Sequence, residues 1–245
     1  MSVNSKMTAI ADAIRAKAGG TDALTLDGMA AAIPEVYTAG EKSAYDAFWD
    51  EYQSSSNYYC KFAGNGWTEN TFKPKYDIIP TEAGMLFYNN QINDLVSVLE
   101  KCGVILDLSK CTQIVQVFSY TLTNRIGIVD ARNSNRMFMT FYGSKVVTIE
   151  KIMLSEKTNV NSNVFANCTN LENMIIEGTI ACTGFDTHWS TKLSRESIIS
   201  IVNALSSTTS GMTVTFSQTA VDTVFTNEEW ATLIATKPNW TFTLA

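Results

Sequence analysis

Apolar residues in the middle of the chain come in bursts of three or four, divided by polar turns, which predicts short strands. Four bursts line up under one another: Val104-Ile105-Leu106-Asp107, Gly127-Ile128-Val129-Asp130, Ile152-Met153-Leu154-Ser155 and Met174-Ile175-Ile176-Glu177. Their successive spacings are 23, 25 and 22. A second mark, an aromatic residue followed by small or polar ones, recurs at Phe87, Phe118, Phe141 and Phe165, with spacings of 31, 23 and 24. A unit this short cannot bury its own apolar face, so the pattern predicts units stacked on one another. The phenylalanines are then an interior column. Tyr88, Tyr120 and Tyr142 stand beside them as candidates for an outward, surface-binding row.

The stretch from Asn163 to Thr179 reads as the last and cleanest unit. Phe165 and Leu171 to Ile176 are expected in the core, and Asn167 and Asn170 in the turn. Because "CTQIVQV" (111–117) and "CTNLENM" (168–174) begin alike, Cys168 is expected to fill the slot that Cys111 fills earlier.

The flanks differ in character. Met7, Ile10, Ala11 and Ile14 make one apolar stripe on a helix that Gly19-Gly20 can end, and Thr25 can cap a second helix carrying Leu26, Met29 and Ile33. Two helices this short must pack on something. Residues 37–53 form a third helix with Ala44, Phe48 and Tyr52 on one face, and exposed aromatics on a solitary helix mark a contact, here self-association. Beyond the repeats, Leu193-Ser194 precedes an amphipathic helix with Ile198, Ile201, Val202 and Leu205. "MTVTF" (212–216) alternates as a strand. Thr226 and Glu229 form a capping box between Phe225 and Trp230, and "NWTFTL" (239–244) alternates again. This helix-strand-helix-strand piece suits a cap on the end of the stack.

Composition narrows the function classes. The chain has 245 residues, a net charge of −6 and 17% charged residues, which disfavours nucleic acid and anionic membrane surfaces as partners. No run approaches the roughly 18 apolar residues of a membrane span, and the N-terminus lacks the continuous apolar core of a secretory signal. Five cysteines without a Cys-x-x-Cys pair read as reduced core fillers. The single histidine, His188, has Asp186 two residues away but no recognisable nucleophile motif, so a packing or surface role is expected. Glu100, Asp107, Asp130, Glu150 and Glu177 are candidates in principle for a glycosidase-type pair, and their places at strand ends read as solvated edges. No catalytic residue, cofactor or metal site is expected.

The order "FKPKYDIIPT", "LFYNN", "GVILDLSKCT", "TIEKIML" and "FANCTNLENMIIEGTI" resembles the BspA-like leucine-rich repeat in the degenerate form of tail-associated phage and prophage proteins from gut Firmicutes. The segment "MTAIADAIRAKAGGTDALTLDGMAAAIPEV" is similar to the leader of many phage tail and minor structural proteins. The resemblance implies an α/β fold, a short irregular leucine-rich-repeat-like solenoid with one strand per unit of roughly 22 to 25 residues. Its expected domains are an N-terminal helical attachment module (1–35), an oligomerising helix and linker (36–57), the repeats (58–182) and a capping unit (183–245). It further implies a non-enzymatic virion protein of the tail, made in the bacterial host cytoplasm. Its expected partners are other tail proteins at the N-terminus, copies of itself, with a trimer favoured, and a host-surface glycan or protein. A bacterial surface adhesin and a glycan depolymerase are the alternatives.

Overall fold

In the computed structural model, which describes residues 61–64, 66–160 and 163–245, the chain alternates between two parallel β-ladders. All of these residues belong to one unit, Ser56–Ala245. The attachment module at 1–35 and the helix and linker at 36–57, with Ala44, Phe48 and Tyr52, lie outside the described residues.

The first ladder joins β1 (Ala83–Gly84), β2 (Gln113–Val115), β4 (Arg136–Phe138) and β6 (Asn159–Val160) in that order. Ala83, Ile114, Met137 and Val160 stand in register, with spacings of 31, 23 and 23 along the chain, and all four are buried. The second ladder joins β3 (Arg125–Asp130), β5 (Thr148–Leu154) and β7 (Asn173–Gly178). The fold is therefore mixed α/β with parallel sheets. The first spacing exceeds the next by eight, the length of helix α1 (Leu95–Cys102), which sits between β1 and β2 in the chain.

Register in the second ladder corrects the sequence alignment. Ile152 pairs with Val129 and with Ile176, whereas the aligned bursts set it against Gly127 and Met174. Between β5 and β7 a two-residue slip still sets buried Ile152 against buried Met174, so alternation alone cannot detect it there, and in β3 two successive outward residues, Gly127 and Ile128, break the alternation that would reveal it. The true spacings are 23 from β3 to β5 and, from β5 to β7, 25 at Ile149 falling to 24 at Ile152. In β3 and β5 two outward residues separate the buried pairs Ile126/Val129 and Ile149/Ile152, but in β7 a single residue, Ile175, separates Met174 from Ile176. A register shift between Ile149 and Ile152 absorbs the missing residue. The expected strand at Val104–Asp107 makes only an isolated bridge, Leu106 to Ile78.

Phenylalanines fill the interior as expected, and the column is longer than the sequence marks suggested. Phe62, Phe87, Phe118, Phe141, Phe165 and Phe185 follow one another at centroid distances of 5.3, 5.8, 5.7, 5.4 and 5.6 Å. From Phe87 to Phe165 the rings are within 11° of parallel. These distances exceed the roughly 4.8 Å between strands, so the rings stack with an offset, which suits their quadrupoles.

Each rung turns two corners. At the first, the phenylalanine is followed two residues later by a left-handed residue: Asn89, Tyr120, Gly143 and Asn167 have φ of 52°, 56°, 64° and 61°. The turn role expected of Asn167 is thus met. At the second corner Cys111, Ser134 and Thr158 donate their amides to Leu108, Ala131 and Ser155. Cys111 and Cys168 are both fully buried, yet they occupy different corners. Cys111 directs its thiol to the Pro80 carbonyl ahead of β2, and Cys168 directs its thiol to the Phe141 carbonyl ahead of β7. The shared Cys-Thr start is therefore not a register mark. Burial pushes the Cys111 thiol up to about 12 and the Cys168 thiol up to about 11, so both stay protonated.

Helix α2 (Arg195–Ala204) closes the second ladder. Ser194 caps it, with Leu193 and Ile198 buried as the staple, as the pattern predicted. Two serines one turn apart then face the edge of β7: Ser197 Oγ accepts from the Met174 amide at 2.9 Å and Ser200 Oγ from the Ile176 amide at 2.8 Å. They also donate back to the carbonyls of Glu172 and Ile176. The helix thus supplies partners that a next strand would have supplied, and the edge cannot template another chain. We expect Ser197→Ala and Ser200→Ala each to cost about 1–3 kcal/mol by leaving an edge amide unpaired. Urea unfolding checks this, and a double variant as stable as the parent would remove the sealing role.

A third parallel ladder of β8 (Phe185–Asp186), β9 (Met212–Phe216) and β10 (Trp240–Leu244) completes the unit, in the order β10-β9-β8. The expected strand, helix and strand are present, with one helix more: α3 (Gln218–Val224), capped by Ser217, precedes α4 (Asn227–Ala235). The capping box of α4 forms, and Glu229 also accepts from Arg195 at 2.9 Å, tying α4 to α2. The Thr226 amide first, and the Arg195 guanidinium next, hold the Glu229 carboxyl down at about 2 against an ordinary 4.5. A depressed folded value means its contribution is complete above the ordinary value and is lost as pH falls from 4.5 toward 2. We expect Glu229→Gln to flatten the fall in stability over that window, measured by thermal melts at stepped pH.

Candidate functional site

Among the described residues, the large apolar or aromatic side chains most open to solvent are Ile105, Ile128, Ile175, Tyr120 and Trp189. The isoleucines lie near the second ladder, with Ile128 in β3 and Ile175 in β7. The two aromatics belong to the first corner.

The three tyrosines singled out from the sequence do come together there. Tyr120 meets Tyr88 edge-on at 5.6 Å and Tyr142 edge-on at 5.3 Å, and it is 43% exposed, while the other two are half-buried. Tyr120 is the unusual member, because a bulky residue at a φ of 56° is strained. Its amide donates to the Tyr142 carbonyl at 2.8 Å, which fixes the backbone. Its ring lies over Gly143, where an added Cβ would approach the ring to 2.8 Å. Gly143 therefore serves both its own left-handed turn and the seat of the tyrosine. Desolvation first, and then the Tyr142 hydroxyl, push the Tyr120 phenol above its ordinary value, so it is uncharged at neutral pH.

Sequence reasoning missed the aromatic at the other end of this corner. Phe185 continues the interior column, and Ser190 Oγ donates to the Cys168 carbonyl at 3.2 Å. Trp189 thus stands just before the corner residue Ser190, as Tyr120 stands before Thr121 and Asn167 before Cys168. It is 43% exposed. The signal was present as a fifth phenylalanine, but the spacing from Phe165 to Phe185 is shorter than the earlier ones and hides it.

His188 sits beside Trp189, with ring centroids 4.8 Å apart. Its Nδ1 lies 2.7 Å from Asp186 Oδ1, and the same oxygen accepts the His188 amide at 2.9 Å, so the imidazole is pinned to its own loop. The nearest serine in the chain, Ser190, is fully buried and committed to the Cys168 carbonyl.

Four of the five candidate carboxylates are engaged by a charged or amide partner. Asp130 pairs with Arg132, Glu150 with Arg125 and Glu177 with Lys151, while Asp107 accepts the amide of Ser109 within its own turn. Arg132 holds the Asp130 carboxyl below its ordinary value. Glu100 lies on α1, beside an apolar groove of about 210 Å³ between that helix and β3, with Ile105 and Ile128 at its rim. A more open cleft of about 540 Å³ lies where the end of β7 meets α2 and is lined by Glu177, Glu196 and Ser200, among others. Among the described residues no three His, Cys, Asp or Glu side chains are grouped to hold a metal ion, and no helix is long and apolar enough to cross a membrane.

No family model, curated protein or solved structure matches the chain.

Proposed function

We propose that the chain is a non-enzymatic tail protein of a phage or prophage particle, anchored through its N-terminal helices and presenting a repeat domain to the host surface. The described rungs are read as a leucine-rich-repeat-like solenoid, on the strength of the recurring phenylalanine and the in-register parallel strands. The observation that carries the binding role is Tyr120. The left-handed position recurs from rung to rung, but the others fill it with Asn or Gly; a tyrosine there, with its ring held open to solvent, is costly to keep, and costly residues of this kind cluster at ligand-binding positions. The partners of this reading are tail proteins at the N-terminus, further copies of the chain, with a trimer favoured, and a host-surface glycan or protein. Several weak sites on one particle gain avidity of roughly 100-fold or more over a single site.

Immunogold labelling of particles induced from a bacterium that carries the gene tests the reading. Gold on the tail is the expected result. Unlabelled particles together with the chain in the cell-wall fraction would replace it with a bacterial adhesin.

A further inference from the structure

We propose that the first corner of the rungs is a binding strip for a neutral polysaccharide, laid along the stack across Tyr88, Tyr120, Tyr142, Asn167 and Trp189. The inference rests on the host-binding reading above and names the chemical class of its ligand.

Charge is the first reason. The turn segments Phe87–Asn90, Phe118–Thr121, Phe141–Ser144 and Phe165–Cys168 carry no charged residue in a chain that is 17% charged. Stacking does not require this. The opposite corner has the same closure, with the amides of Cys111, Ser134 and Thr158 bonded three residues back, and it carries Lys110, Arg132, Glu156 and Lys157. On the same backbone one corner is charged, whereas these four turns of the other are free of charge; at the Trp189 end the one carboxylate, Asp186, is held by His188. An ionic ligand finds no partner in these four turns.

Backbone supply is the second reason. A peptide strand binds a sheet by main-chain hydrogen bonds. At this corner the amides of Gly64, Asn89, Tyr120 and Gly143 already donate to Tyr88, Ser119, Tyr142 and Ala166. What remains for a ligand is ring surface and neutral polar side chains. Sugars offer the complement, with polarised C–H groups for the electron-rich ring faces and hydroxyls for amides and phenols.

Repetition is the third. Successive tyrosines lie 5.6 and 5.3 Å apart, a spacing on the scale of one sugar residue, so an extended chain meets an aromatic on each of three consecutive rungs. Trp189, with His188 pinned beside it by Asp186, provides a platform beyond the polar position of Asn167.

The test uses the full chain with three single substitutions. Tyr120→Asn removes the ring but keeps a residue that this corner already accepts in left-handed backbone at Asn89 and Asn167. Trp189→Ala removes the far platform, and Arg132→Ala alters only the opposite corner. Thermal melts verify that each variant is folded. Affinity electrophoresis in gels containing neutral glucans, mannans or galactans is expected to show retardation by at least one of them. Retardation should weaken about tenfold or more for Tyr120→Asn and for Trp189→Ala, and stay unchanged for Arg132→Ala. Retention by heparin alone, or binding indifferent to both aromatic substitutions, overturns the strip.

A second arm separates this failure from that of the host-binding reading. The chain is mixed with intact Firmicutes cells treated beforehand with protease or with periodate, which cleaves sugar diols. Binding that survives protease and is lost with periodate supports the glycan. Binding that protease abolishes overturns the glycan and leaves host binding standing, with a protein as receptor. Failure to bind any untreated cell, including the strain that carries the gene, overturns both.

Discussion

Phe141→Ala is expected to lower stability by about 3–5 kcal/mol, a large share of what a domain of this kind possesses. Phe141 is fully buried and nearly parallel to both neighbours, Phe118 at 5.7 Å and Phe165 at 5.4 Å. Removing one ring therefore breaks two stacked contacts and leaves a void between two rungs that cannot close, because hydrogen bonds from Phe118 to Thr140 and from Phe141 to Val164 hold the rungs at strand spacing. The midpoint of urea unfolding should fall with little change in slope. Phe138→Ala is the control. It lies only three residues away but points outward from β4, half-buried, with the Arg136 guanidinium 4.5 Å from its ring, and its loss should cost about 1 kcal/mol. Equal losses for the two phenylalanines would show that the column is not the core of the stack.

Gly178→Ala should be nearly as damaging, for a backbone reason. Gly178 ends β7 with a φ of 100°, and a Cβ there would come within 2.0 Å of the Leu154 carbonyl in the neighbouring strand. A flexible side chain could move aside, but Leu154 O is main chain and stands in register with Gly178 itself. The conformational penalty alone is about 1–3 kcal/mol, and relieving the clash requires the ends of β5 and β7 to separate. Amide exchange at the ends of these two strands should rise well above that of the first ladder. Unchanged exchange there would show that the strand end already yields freely.

Much of the fold was legible, and the particular successes share a cause. The capping box at Thr226 and Glu229, the cap at Ser194 with its staple, and the strands at 212–216 and 240–244 depend on residues within one turn or one strand, where sequence spacing is spatial spacing. The phenylalanine marks were legible because each rung repeats the same local turn. Helix α3 escaped notice because seven residues with two buried side chains, Ala220 and Val221, make too faint a stripe. The strand expected at Val104–Asp107 has an apolar pattern, but α1 and the groove beside it stand between that stretch and β3.

The candidate site was half legible. Tyr88, Tyr120 and Tyr142 were singled out because each lies beside a recurring phenylalanine, and they do meet one another. The strain at Tyr120 was invisible, since nothing in "VFSYT" announces a left-handed tyrosine when the equivalent residues are Asn, Gly and Asn. Trp189 joins the strip through a shortened rung, and only the bond from Ser190 to Cys168 reveals it.

By itself the sequence determined a period, a buried aromatic per rung, the alternation that sets inward from outward faces, and the caps of α2 and α4. These are local patterns read against the geometry of single elements. The tertiary structure alone decided which residue stands beside which. The apolar bursts align as well two residues out of place, and β3 does not alternate strictly, so the pairing of Ile152 with Val129 and Ile176 had to come from the stack. The same holds for the separate corners of Cys111 and Cys168, for the serines of α2 on the edge of β7, and for the contrast between four charge-free turns at one corner and charged turns at the other. Each is a relation between segments distant in the chain, and such relations are set by packing and register rather than by local preference.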